Sequence, residues 1–165
     1  QAVSEEKGEV PAVPDKECLI DLPIDAHIPD GYITDTAQKL SMYRRIADIK
    51  NRDDADDVLD ELIDRYGEPP ESVQGLITVS LLRNTAMKQG IYEIGRSGNS
   101  VKLYIDSLDM NKISLLAKYL PGRITVSATG KPHIAIKIAS GEDQLAVIRK
   151  AIEIMSMSEH QQKAQ

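Results

Sequence analysis

The 165-residue sequence contains no phenylalanine, no tryptophan and a single cysteine, Cys18. One cysteine excludes an internal disulfide framework and a zinc site built from several cysteines. Without Phe and Trp the core has to be aliphatic, supplemented by six tyrosines and five methionines. These absences predict a small aliphatic domain and point to no redox or structural-metal chemistry.

The sequence also lacks long apolar runs. No stretch approaches the roughly 20 residues that a membrane helix needs, and the N-terminal residues lack the apolar centre of a signal peptide. We therefore expect a cytoplasmic protein that makes no membrane contact. The length suits one domain, and because the first residue is Gln1, we expect a piece of a longer protein.

Charge is distributed unevenly along the chain. Residues 1–71 hold 19 acidic and 8 basic side chains, whereas residues 72–165 hold 7 acidic and 12 basic ones. The net charge of −6 therefore combines an acidic first half with a mildly basic second half. Such asymmetry favours an acidic face that meets a basic partner, although two solvated surfaces of opposite sign would give the same pattern.

The first half is predicted to contain a tail, an extended segment and three helices. Residues 1–17 are polar and aperiodic and predict a disordered linker or tail. Residues 18–90 form the next unit, beginning with an alternating segment at 18–24 whose Pro23 confines it to a sheet edge or an extended docking segment. Apolar spacing of three and four then predicts helices over 36–50, 54–66 and from 71 to just before Gly90. Expected buried positions include Leu40 in the first helix and Ile63 in the second.

The second half changes from helical to strand periodicity. Residues 91–157 predict hairpin, helix, hairpin, helix, with Ser140 capping the last helix and residues 158–165 forming a frayed tail. The predicted fold class is α+β, in which a three-helix portion precedes a ββαββα unit. That unit has a four-stranded antiparallel sheet with two helices on one face, and we expect 18–90 and 91–157 to share one compact domain.

The chain offers little for catalysis or metal binding. No glycine-rich phosphate loop is present, because Lys131 of the Gly-Lys pair is followed by Pro132. His27, His133 and His160 are far apart and lack metal-ligand spacing, and Cys18 is expected to act as a small hydrophobic residue. The sequence therefore predicts no catalytic residue, no metal ligand and no cofactor, so the fragment is not expected to be an enzyme.

Four carboxylates of the second helix form the most informative pattern. Asp57, Asp60, Glu61 and Asp64 lie at i, i+3, i+4 and i+7 and fall within about 100° of one another, opposite the apolar stripe. Like charges at these spacings cost a few tenths of a kcal/mol per pair, so folding alone gives no reason for them. They predict an arginine-bearing partner surface.

The same carboxylates are also compatible with a surface that meets no partner. The column could simply be solvated, or cations of the first helix could neutralise it locally. The candidate cations are Lys39, Arg44, Arg45 and Lys50.

Nucleic-acid binding by basic β-hairpins is the alternative function. Candidate contacts are Arg96, Lys102, Arg123, Lys131 and Lys137. Single-strand binders also need stacking aromatics, and only three tyrosines occur in this half, at positions 92, 104 and 119. We therefore expect no DNA contact by this domain.

Three stretches resemble the C-terminal domain of bacterial transcription-repair coupling factors. They are IDLPIDAHIPDGYI at 20–33, QKLSMYRRIA at 38–47 and DELIDRYGEPP at 60–70. Beyond Gly90 the similarity is one of pattern only. The motor motifs of an ATP-driven DNA translocase are absent from this chain, so the resemblance implies the terminal regulatory domain.

The resemblance also implies a partner and a role. In this family the intact translocase displaces stalled RNA polymerase and recruits UvrA, and its C-terminal domain docks on an N-terminal UvrB-like module, masking the surface that UvrA binds. Acidic residues before the Arg-Tyr-Gly turn face arginines of that module, and by position these are Glu61 and Asp64. Asp57 and Asp60 extend the set on helical geometry alone.

Overall fold

The computed structural model describes residues 17–164, so the tail predicted for residues 1–17 lies, except for Glu17, outside the described residues. Across that range the chain forms five helices and one five-stranded sheet. In chain order the elements are β1 (Leu19–Asp21), α1 (Thr36–Ala47), α2 (Arg52–Tyr66), α3 (Glu71–Lys88), β2 (Ile91–Ser97), β3 (Ser100–Ile105), α4 (Met110–Tyr119), β4 (Ile124–Ser127), β5 (His133–Lys137) and α5 (Gln144–Ala164). No helix in this range is long and apolar enough to cross a membrane.

Local capping sets the bounds of the helices. The Asp35 carboxylate accepts a hydrogen bond from the amide of Ala37 and begins α1 as predicted. Asn51 begins α2 by accepting from the amide of Asp54 at 2.8 Å. Gly67 ends α2 with φ 84°, a left-handed conformation that side chains disfavour.

The sheet has the order β1-β2-β3-β5-β4. The four strands from β2 to β5 pair antiparallel, which confirms that part of the predicted sheet. The predicted count of four is wrong by one strand, because β1 adds to the edge in parallel with β2. A parallel pair needs a long crossover, and the three helices between β1 and β2 supply it.

Two apolar clusters form the interior, and α3 contributes to both. Val73 and Ile77, in its first half, join the core of the helical region. Leu82 and Ala86, in its second half, join the core beneath the sheet, where α4 and α5 also pack. The sheet is therefore covered by α4, α5 and the end of α3, one helix more than predicted.

Several residue-level predictions were wrong. Leu40 and Ile63 are 52% and 43% exposed, and Met42 and Val58 take the buried positions. Both errors arise because the buried face of each helix is rotated around the helix axis from the face that the apolar spacing predicted. Because neither Gly nor Pro interrupts residues 144–164, α5 continues to Ala164 where a frayed tail was predicted.

The start of α5 also differs from the prediction. The Asp143 carboxylate accepts from the amide of Ala146 at 3.1 Å and caps this helix, in the place expected for Ser140. Ser140 lies outside the helix, in the turn that follows β5.

Candidate functional site: the acidic face of α2

The two sides of α2 differ sharply in chemistry. Ala55, Val58 and Leu62 are buried against α1 and α3. Asp57, Asp60 and Asp64 are all exposed, and at 100° per residue they lie on the side of the helix opposite those apolar residues. Exposed Asp53, one turn before Asp57, continues the same column towards the helix start. The predicted acidic face is therefore a solvent-facing surface.

Glu61 lies at the border of this face and is engaged inside the fold. Its carboxylate forms ion pairs with Arg45 of α1 and with Arg65 one turn along α2, the latter at 3.0 Å. The Glu61 side chain is 30% exposed. Local neutralisation, one of the alternatives raised from the sequence, therefore holds for this member of the set. Arg65 contributes to it although it was not among the candidate cations.

The three aspartates have no such partner within the described part of the chain. No lysine, arginine or histidine there lies within 4.0 Å of Asp57, Asp60 or Asp64. Lys39, one of the cations considered for neutralisation, pairs with Asp30. The arrangement leaves three carboxylates in a row available to cations from outside.

The C-terminal end of α2 is held in place by tyrosines. The Tyr32 hydroxyl donates a 2.6 Å hydrogen bond to the carbonyl of Gly67, and its ring packs against Tyr66 at 5.8 Å. Burial, followed by the negative charge of Glu68, raises the pKa of Tyr32, which keeps its hydroxyl a donor. The Arg65 guanidinium lies 5.0 Å from the centre of the Tyr66 ring. The column therefore projects from a fixed helix end.

The basic hairpins, which carry the alternative function, are largely engaged within the fold. Arg123 donates to the Lys137 carbonyl at 2.7 Å and pairs with Glu142, whose pKa it lowers. Arg96 donates to the side chain of Gln144 at 2.8 Å. Lys102 and Lys137 have no acidic partner among the described residues.

The half-buried Tyr104 of the sheet is also engaged within the fold. The Lys131 ammonium pairs with Glu93 at 2.9 Å and lies 4.4 Å from the centre of the Tyr104 ring. That ring also packs against His133, with 5.2 Å between the ring centres. The hydrogen bond to Glu93 raises the pKa of Lys131, so the ammonium stays charged. A base would have to displace this lysine before stacking on Tyr104.

The cysteine and two of the histidines considered for catalysis or metal binding lie in separate environments. Burial raises the pKa of the Cys18 thiol to about 12, which makes it a poor nucleophile. His27 contacts Asp25, and His133 contacts the carbonyl of Lys131, at separate parts of the molecule. No group of three or more His, Cys, Asp or Glu side chains that could hold a metal ion occurs among the side chains that the structure describes, those of residues 17–158.

Comparisons with known proteins all lead to one family. The family model described as TRCF domain matches residues 22–115. The chain is 30% identical to the transcription-repair-coupling factor of Bacillus subtilis over 79% of its length, and 32% identical to that of Myxococcus xanthus over 94%. It spans only about an eighth of these relatives, 12% and 13%.

A solved structure gives the same fold. A crystal structure of the C-terminal domain of transcription-repair coupling factor superposes with a TM-score of 0.71 at 21% identity. The match covers 87% of this chain and 97% of that one. The mixed architecture of five helices and a five-stranded sheet in the described residues is therefore the fold of that C-terminal domain.

Proposed function

The chain belongs to the TRCF domain family of transcription-repair coupling factors, and we propose that it acts there as an autoinhibitory clasp. In this proposal the domain is non-catalytic, and its acidic α2 face docks on arginines of the N-terminal UvrB-like module of the same protein. Docking masks the surface that UvrA binds. Contact with stalled RNA polymerase releases the clasp while the translocase works on DNA.

One observation carries the proposal. Asp57, Asp60 and Asp64 form an outward column on a well-anchored helix, and no cation of the described residues pairs with them. Mutual repulsion in such a column destabilises the helix slightly. Guanidinium groups of a partner would remove that repulsion and form charge-assisted hydrogen bonds.

Glu61 contributes in a different way from the three aspartates. By pairing with Arg45 and Arg65 it neutralises two arginines that border the column. Without it, those arginines would repel the cations of the partner. We propose that Asp64, Asp60 and Asp57 make the direct contacts, and that Glu61 shares its carboxylate between the internal arginines and the partner.

The energies required are modest. Two parts of one chain meet at an effective concentration on the order of 1 mM. An intrinsic Kd of about 10 μM would then keep the clasp about 99% closed, equivalent to about 2.7 kcal/mol. Two or three charge pairs supply a free energy of that order, and competing contacts can still open the clasp.

The direct test is binding in trans. The 165-residue chain and the UvrB-like module of its own full-length factor are purified separately, and their affinity is measured by calorimetry. We expect Asp64→Arg to weaken binding at least tenfold, since it removes an attraction and adds a repulsion. Asp106→Arg makes the same charge change at an exposed turn outside α2 and should leave the affinity unchanged.

A second readout uses the intact factor. Asp60→Arg with Asp64→Arg should increase UvrA binding, because the clasp would open more often. Both variants must keep the circular dichroism spectrum and melting temperature of the parent. Wild-type affinity for the module in the double variant, or equal weakening by Asp106→Arg, would contradict the proposal.

A further inference from the structure

A cavity lies where the two cores of the domain meet. It is open to solvent on one side and bordered by the α1–α2 connection, the second half of α3 and the middle of α5, and its volume is about 490 Å³. That volume falls within the range of about 300–1,000 Å³ found for specific binding pockets. The cavity is separate from the acidic column, because it is lined by residues 50–52 and not by the outward aspartates of α2.

The rim of this cavity is basic. Four cations from three parts of the chain line it, namely Lys50, Arg52, Lys88 and Arg149. None of the four has an acidic partner within 4.0 Å in the described range. One carboxylate, that of Glu153, lines the same rim. In a protein of net charge −6, this concentration of unpaired cations around a concave surface favours an anionic occupant.

The floor of the cavity is apolar and contains one unsatisfied polar atom. Leu82 and Ile152 are buried residues that line it. Gln89, at the end of α3, also lines it and is 6% exposed, and its Oε1 is buried without a hydrogen-bond partner. An unpaired buried acceptor is unfavourable, and a ligand donor that reached it after a small rotation of the Gln89 side chain would remove that penalty.

We propose that this cavity is a docking site for an acidic peptide segment of a partner protein. An apolar side chain of the segment packs against Leu82 and Ile152, and carboxylates of the segment meet the basic rim. A backbone N–H of the segment donates to Gln89 Oε1 once the Gln89 side chain has rotated towards the cavity. A peptide combines all three features, whereas inorganic anions lack the apolar group. No aromatic side chain lines the cavity, so nucleotide bases would find no stacking surface there.

The experiment uses the 165-residue chain and a fluorescein-labelled peptide in which glutamates flank two leucines. Affinity is measured by fluorescence anisotropy, and the Gln89 side-chain amide and Leu82 methyl signals are followed by NMR. The control peptide carries glutamine in place of glutamate. We expect saturable binding of the acidic peptide, shifts of both signals, and binding of the control peptide that is at least tenfold weaker.

Variants separate the cavity from general electrostatic attraction. Arg149→Glu should weaken binding about tenfold, whereas Lys150→Glu, which makes the same change at the next residue outside the cavity lining, should not. Gln89→Leu should weaken binding about fivefold, the loss expected for one hydrogen bond. It should also raise the melting temperature, because the unpaired acceptor disappears.

Several outcomes would overturn the proposal. One is a loss of affinity with Lys150→Glu that equals the loss with Arg149→Glu. Others are NMR signals of Gln89 and Leu82 that do not shift, and a control peptide that binds as tightly as the acidic one. The last is displacement of the acidic peptide by inorganic phosphate at the concentration of the peptide. Asp64→Arg changes the acidic column and leaves the cavity intact, so peptide binding to the cavity is tested separately from the proposed clasp.

Discussion

The outward face of α2 and the outward face of the sheet are both charged, but they differ in how the charge is used. On the sheet, cations meet acids of the same domain, as Lys131 does with Glu93 and Arg123 with Glu142. On α2, Asp57, Asp60 and Asp64 meet no cation of the described residues. Charge counts alone would have ranked these surfaces as comparable, whereas the pairing shows which one is available to a partner.

The cause of this difference is geometric. Strands bring residues that are distant in sequence side by side, so a basic hairpin can meet an acid on another strand or on the next helix. The outward column of a helix has only its own members for neighbours, at i+3 and i+4. When all of these are aspartates, no internal pairing is possible, and the column stays open unless another element crosses it.

The largest effect is expected from comparing the two sides of α2. Leu62 is fully buried, and Leu62→Ala should reduce the free energy of unfolding by about 2–5 kcal/mol. Asp60→Ala, two residues earlier on the outward side, should change it by less than about 0.5 kcal/mol. Urea denaturation followed by circular dichroism measures both. A loss above about 1 kcal/mol for Asp60→Ala would mean that the column serves the fold itself.

The sequence was a good guide wherever a local signal decides the structure. The first helix begins at Thr36 and the second ends at Tyr66, as the apolar spacing predicted, and the local geometry of Asp35 and Gly67 fixes those two ends. The acidic column was also predictable, because 100° per residue places Asp57, Asp60 and Asp64 together whatever the surroundings.

Features that depend on long-range packing could not be predicted. The pairing of β1 with β2 joins Ile20 to Ile94 across three helices, and no local pattern encodes that register. Arg45 was one of four candidate cations for the acidic set, but which of the four reaches Glu61 depends on how α1 lies along α2. The basic cavity requires three separated segments to converge around Gln89. Each of these needs the relative placement of elements, which periodicity does not supply.

A smaller effect separates Glu61 from its neighbour in the column. Glu61→Gln leaves Arg45 and Arg65 without an acid and should cost up to about 1 kcal/mol of unfolding free energy. Asp64→Asn removes repulsion from Asp60 and a negative charge near the helix C-terminus, where the helix dipole disfavours it. This variant should therefore raise the free energy of unfolding by a few tenths of a kcal/mol. Urea denaturation at low and high salt measures both, and both effects should shrink in high salt. Changes of the same sign would show that these two carboxylates share one environment.

The smallest effect is expected for nucleic acid at the sheet. Among the five hairpin cations, Lys102 and Lys137 are the two that neither pair with an acid nor hydrogen-bond another side chain in the described range, so two phosphate contacts are available. Each contributes about −0.7 to the slope of log K against log salt for single strands. A filter-binding titration with a single-stranded oligonucleotide should therefore give weak binding with a slope no steeper than about −1.4. Participation of all five hairpin cations would give about −3.5. The steeper slope would show that the paired cations of the sheet leave their internal partners to bind nucleic acid, provided that Lys102→Glu with Lys137→Glu abolishes it. The sheet would then be as available to a partner as the acidic column of α2.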